Sequence, residues 1–267
     1  MTPPPPSATA AAPPSAEDAV IGFQFPRPWV GRGKPEPEYP DSDGQPMADN
    51  TLQFRYIVLL KQGFDHLFAD REDVFVAGDL LWYPLKGYPQ IRFAPDVMIA
   101  FGRPKGERGS YRQWVEGDIP PQFVMEVLSP GNRSSEMGRK ASAYLKYGAE
   151  EFVIYDPDRG KLEILVKNKI GDWDEISETN GWRSELTGVT FFLDGRDLIA
   201  VRPDGKKFED YAEVAQRAAE QEKRAEAEAQ EKEKALAAAA EEARMKDAAL
   251  ARAAELEARL REAGIEP

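Results

Sequence analysis

The sequence predicts an α/β fold with a mixed β-sheet, and three observations carry the prediction. Apolar residues recur at helical spacing from Thr51 to Phe68. Short runs rich in β-branched and aromatic residues follow, several of them alternating apolar with polar. A second helical stretch, Ser134 to Tyr147, then divides the early strands from the later ones.

The elements can be justified in order. Twelve of the 22 prolines fall in the first 46 residues. Proline this dense prevents helix and sheet ladders, so residues 1–49 are expected to be disordered, with Phe23, Phe25 and Trp29 as weak anchors. Asn50 or Asp49 caps the first helix, whose inward stripe is Leu52, Tyr56, Leu59, Leu60, Phe64, Leu67 and Phe68. Strands are expected at Asp73–Ala77 and Asp79–Pro84 with Gly78-Asp79 as the turn or bulge, then at the run after Asp96. A long polar loop, Gly102–Pro121, leads to the strand Phe123–Leu128. Ser129-Pro130-Gly131 ends that strand, and Asn132 is placed to cap the second helix, which Gly148 terminates. Phe152–Tyr155, Lys161–Lys167, Trp173–Ser177, Val189–Leu193 and Leu198–Val201 are the later strands. The core domain therefore spans about 50–205, and 206–267 reads as an Ala/Glu/Lys/Arg-rich helix with no proline or glycine until Gly264.

Composition excludes several chemistries. The chain has no cysteine, which removes thiolate metal sites and cysteine nucleophiles and fits a reducing, cytoplasmic setting. A single histidine, His66, stands far in sequence from the acids discussed below, which excludes His-rich metal sites and leaves little room for Ser-His-Asp catalysis. No run of 18 apolar residues is present, so no membrane span is expected, and no secretory signal is visible. Net charge is −12, of which −4 belongs to residues 206–267; nucleic acid could be gripped only by a local basic patch.

Two acids draw notice. In Phe123-Val124-Met125-Glu126-Val127-Leu128, alternation puts Glu126 on the face of Val124 and Leu128, among apolar neighbours. An unpaired carboxylate there costs several kcal/mol, roughly, unless a cation accompanies it. Asp96 opens a second apolar run. Lys140 lies between Met137 and Tyr144 at the border of the inward stripe of its helix, from where its ammonium can reach back over the strand end. Two carboxylates on neighbouring strands can hold one hard divalent ion through oxygen, with water and phosphate completing the shell. Read alone, each of these residues is also consistent with a salt-bridged or surface position.

Pro95-Asp96, Glu126 within FVMEVLSP, Lys140, Tyr144, Gly148 and Phe152-Val153-Ile154-Tyr155-Asp156-Pro157 together resemble the Uma-type branch of the PD-(D/E)XK nuclease superfamily, a set of bacterial restriction-endonuclease-like proteins. The resemblance spans about residues 50–200 and implies a restriction-endonuclease-like sheet flanked by helices. It implies an endonuclease that hydrolyses DNA with Mg²⁺, or Mn²⁺, held by Asp96, Glu126 and the Val127 carbonyl. Asp79, on an earlier strand, is a further acidic candidate, and Glu136 could face the site. One departure stands out: the signature's lysine two residues after the glutamate is Leu128 here, and its role passes to Lys140, with Arg139 as the fallback. The alternative is an inactive nuclease-like fold that binds or assembles through its helical tail.

For DNA, Arg103, Lys105, Arg108 and Arg112 in the loop between the acid-bearing strands form the expected patch, extended by Arg133 and Arg139. Along the tail a three-four spacing joins Phe208, Tyr211, Ala215, Ala218, Ala225, Ala229, Leu236, Ala239, Ala243, Leu250, Ala253 and Leu260, with Glu222, Lys232 and Lys246 in the gaps. Such a seam suits a homodimer formed through the C-terminal helix.

Overall fold

The computed structural model describes residues 36–44, 46–131 and 134–262. The helix predicted from Thr51 forms as α1 (Thr51–Leu67), because the Asn50 side chain accepts from the Gln53 N–H and satisfies an otherwise unpaired donor of the first turn. β1 (Val74–Ala77), β2 (Trp82–Tyr83), β3 (Val97–Phe101), β4 (Tyr111–Arg112) and β5 (Phe123–Val127) follow. α2 (Ser134–Tyr147) separates them from β6 (Glu151–Asp156), β7 (Lys161–Lys167), β8 (Trp173–Glu175), β9 (Trp182–Arg183), β10 (Thr190–Asp194) and β11 (Asp197–Val201).

The main sheet has the order β1-β3-β5-β6-β7-β8. Only β5 and β6 run parallel, since α2 is the crossover that such a pair requires. Three strands, β11-β10-β9, form a second sheet, and β2 pairs with β4 in parallel. Strand alternation sends Phe123, Met125 and Val127 to one face of the main sheet, where Tyr56, Ile57, Leu60 and Phe64 of α1 and Phe191, Leu198 and Ala200 of the second sheet cover them. Val124, Phe152 and Ile154 face the other way, against Met137, Ala143, Tyr144 and Tyr147 of α2 with Trp82 and Tyr111 beside them. The result is a buried mixed sheet with helices on both faces.

Gly148 ends α2 in the left-handed region, with φ of +109°. A Cβ at this position would sit 2.7 Å from Pro120 Cγ, so glycine is required both for the turn and for the close approach.

Three expectations change. Disorder over 1–49 does not hold for its last stretch: Tyr39 is buried against Tyr83 and Trp114, and the Pro40 carbonyl accepts from the Tyr83 hydroxyl at 2.7 Å. Phe23, Phe25 and Trp29 lie outside the described residues, as does the Asn132 cap. Asp79 is not on a strand; it takes a left-handed turn after β1, with φ of +47°, and its N–H donates to the carbonyls of Pro95 and Asp96. The loop 102–121 is not wholly irregular, because β4 within it pairs with β2.

The chain divides into two units, 1–208 and 209–267. The second is dominated by α3 (Tyr211–Glu262), 52 residues long and without one buried residue.

Candidate active site

Register brings the two acids together. β3 and β5 are antiparallel with Val97 opposite Met125, so one step further Asp96 comes opposite Glu126. Directly opposed residues of an antiparallel pair point to the same face. Asp96 is held there by the backbone: its Oδ2 accepts from the Val127 N–H at 2.6 Å.

Glu126 is almost fully enclosed, its side chain 4% exposed, and both carboxylate oxygens are engaged by α2. Lys140 Nζ donates to Oε2 at 2.8 Å, and the Tyr144 hydroxyl donates to Oε1 at 2.6 Å. The two donors stand one turn apart, the spacing at which helix side chains share a face. Tyr144 is itself fixed between Trp82 and Phe152 by ring contacts at 5.9 and 5.1 Å. The carboxylate is thus oriented by a helix that aromatic packing holds in place.

Electrostatics shows what this cluster lacks. Burial, then repulsion from Glu126, pushes the Asp96 carboxyl well above the usual carboxylate range, against the opposing pull of the Val127 N–H and Lys140. Asp79 is raised to about 6 by burial, then by Asp43 and Glu126. Burial works against the Lys140 charge, but Glu126 outweighs it and the pKa rises, so Lys140 stays protonated at neutral pH. Glu136 adds to that field, as expected of an acid one turn before Lys140. Four acids, Asp79, Asp96, Glu126 and Glu136, therefore surround one ammonium, and a further cation would relieve the repulsion among them.

The donor set fits a hard divalent ion. All the groups offered are oxygens, and Mg²⁺ characteristically uses one or two carboxylates while keeping several waters. Among the described residues no three His, Cys, Asp or Glu side chains converge as a ready-made cage. Asp96 and Glu126 can supply two ligands. The Val127 carbonyl already accepts from Gln53 Nε2 at 2.8 Å, which leaves it one lone pair. Asp79 is close enough to feel Glu126 and Lys140 without joining such a cage.

Sequence reasoning missed Gln53, buried in α1, whose Oε1 also accepts from the Asp49 N–H at 2.8 Å. Its signal was a polar residue at the buried side of the first helical turn. Asp49 in turn accepts from the Ser129 hydroxyl at 2.5 Å, tying the start of α1 to the end of β5.

The cationic loop makes contacts within the fold. Arg103 and Arg108 both donate to Glu116, at 3.0 and 2.7 Å, and the Arg108 guanidinium lies 3.9 Å above the Phe75 ring. Lys105 caps the end of α1, donating to the carbonyls of Phe68 and Ala69. The start of α1 is at the acids and Lys105 at its far end, about 25 Å away for a helix of 17 residues. These three cations stabilise the opposite end of the sheet. Arg112 lies over the Tyr39 ring and 3.9 Å from Asp41, Arg139 is exposed on α2 beside Lys140, and Arg133 lies outside the described residues.

A sheet of this mixed α/β kind, with acids and a lysine gathered at one strand end, is the setting in which the comparisons with known proteins are read. Residues 34–192 match the family described as "Uma2: Putative restriction endonuclease", and the chain belongs to that family. Among solved structures it is similar to "a putative nuclease belonging to DUF820 from Anabaena variabilis ATCC 29413", at 14% identity and a TM-score of 0.38, over 62% of this chain and 87% of that one. The comparison with curated proteins gave no match.

Proposed function

We propose that the protein is a Mg²⁺-dependent endonuclease that hydrolyses phosphodiester bonds in DNA, with water as nucleophile. The observation that carries this reading is the convergence of Asp96 and Glu126 on one face beside an ammonium, in a member of a nuclease family. Asp96, Glu126 and the remaining lone pair of the Val127 carbonyl would hold the ion, with Asp79 reached through water. The chemistry such an ion would supply is a lowered pKa for a bound water and compensation of phosphate charge. Mn²⁺ would serve the same oxygen set.

The residues of the chain do the rest. Lys140 keeps its proton and acts as a fixed positive charge toward the non-bridging phosphate oxygens, strongest when charge builds in the transition state. It is not a base. Tyr144 and Lys140 aim Glu126, and the Val127 N–H aims Asp96. Arg139, exposed on the same helix, together with Arg112 and Arg133 would take neighbouring phosphates. The protein works on DNA as a cytoplasmic homodimer joined through α3; among the described residues no helix is long and apolar enough to cross a membrane.

Plasmid nicking in Mg²⁺ or Mn²⁺ tests the proposal. Asp96→Ala and Glu126→Ala should each lose at least about a hundredfold in rate, as when a transition-state contact is removed. Equal nicking by wild type and both variants would reject this site. No nicking by well-folded wild type on any DNA form would favour the inactive binding module.

A further inference from the structure

α3 leaves large apolar side chains in water. Tyr211, Leu236 and Leu250 are 82%, 71% and 69% exposed, and Leu256 is more than half exposed. An isolated helix gains little from such residues, whereas a helix that pairs buries them. The question is how it pairs, and the charges along the seam answer it.

Positions alternating by four and three run without a break from Tyr211 through Ala215, Ala218 and onward to Ala253, Glu257 and Leu260. Four of them are charged: Glu222, Lys232, Lys246 and Glu257. A parallel pair in register sets each against its own copy, giving four like-charge contacts inside the seam, each unfavourable. An antiparallel pair avoids this, and of the alignments that use nearly the whole helix one also sets opposite charges against each other. Glu222 of one copy then faces Lys246 of the other, and symmetry repeats the ion pair at the far end. In the same alignment Ala229 faces Ala239, Ala225 faces Ala243, Leu250 packs on Ala218, and Lys232 lays its aliphatic stem along Leu236. Beside the seam, Val214 meets Leu256, two apolar residues that otherwise flank it with no use. A slip of one heptad either way sets Glu222 against Ala239 or Ala253 and loses both ion pairs. Lys246 holds Glu242 at 3.2 Å on an exposed helix turn, a weak contact readily exchanged.

We infer that α3 is an antiparallel homodimerisation helix whose register is set by reciprocal Glu222–Lys246 contacts across a narrow alanine seam. Alanine at most seam positions lets the two backbones approach closely, and the partner is a second copy of this chain. The inference deepens the homodimer reading and does not depend on nuclease activity.

The chain has no cysteine, so introduced thiols report on pairing without background. Full-length Ala229→Cys and Ala239→Cys are made separately, sized by sedimentation, and oxidised alone and mixed. Alone, each should stay uncrosslinked; mixed, they should form a reducible covalent dimer. Within one helix these positions are about 15 Å apart, too far for an intrachain bond. Crosslinking of a variant with itself would mean parallel pairing and overturn the inference while leaving the homodimer standing. A monomeric mass at tens of micromolar would overturn both, and a dimer whose mixture fails to crosslink would overturn this register. Glu222→Lys or Lys246→Glu alone should weaken the dimer by about tenfold, and the two together should restore it. Failure of that rescue also overturns the pairing.

Discussion

Removing the ammonium beside Glu126 is the perturbation whose size can be worked from the geometry. Lys140 and Glu126 meet at 2.8 Å with side chains 23% and 4% exposed, so the pair is largely withdrawn from water. Lys140→Ala leaves a buried carboxylate next to Asp96 with the Tyr144 hydroxyl as the remaining described donor. Breaking such a pair from one side costs about 3–5 kcal/mol, and the surviving hydrogen bond places this case near 3. For a domain of this size that lowers the melting temperature by about 6–12 °C. The assay is thermal unfolding in EDTA. Adding Mg²⁺ should recover part of the loss, because the ion supplies the missing positive charge, yet nicking should stay abolished. Glu126→Gln combined with Lys140→Ala should be more stable than Lys140→Ala alone. A melting temperature within about 2 °C of wild type for Lys140→Ala would refute the buried-pair argument, and full nicking activity would refute the role of Lys140.

Two further predictions follow from neighbouring groups. Asp79 has its pKa raised to about 6, so the folded state holds that proton longer than the unfolded chain does; the stability this contributes is complete below pH 4 and is lost as pH rises through 6. Asp79→Asn, which tolerates the left-handed backbone, should therefore be more stable than wild type above pH 6 by about 1 kcal/mol after allowance for partial solvent exposure, and equal to it below pH 4; urea titrations in EDTA at pH 4 and 7.5 check this. Arg108→Ala should cost about 2 kcal/mol through loss of the Glu116 and Phe75 contacts yet leave DNA affinity within about twofold, whereas Arg139→Ala should weaken DNA binding measured by fluorescence anisotropy; the reverse pattern would restore the 103–108 loop as a DNA surface.

What the sequence disclosed, and what it withheld, divides along a physical line. The strand through Glu126 and the helix through Lys140 were legible because alternation and 3.6-residue spacing say which side chains share a face. Gly148 announced the end of α2 because few other residues accept its backbone angle. Gln53 was not legible: its partner, the Val127 carbonyl, is 74 residues away, and no local pattern encodes that meeting. Nor was the fate of Arg103 and Arg108, since charge in a loop looks the same in sequence whether it faces water or Glu116. The strand expected over Asp79–Pro84 contains β2, but its partner β4 escaped notice because two residues inside a polar loop carry no periodicity.

The donors to Glu126 come from one turn of α2, and this has a mechanical outcome. Lys140 and Tyr144 ride on the same rod, so a shift of that rod moves both donors together. Any event that tilts that rod by an ångström or two, from a truncated aromatic beneath it to strain at its glycine stop, disarms charge and aim in one stroke. The proposed site is therefore as sensitive to how a helix is seated as to the identity of its acids.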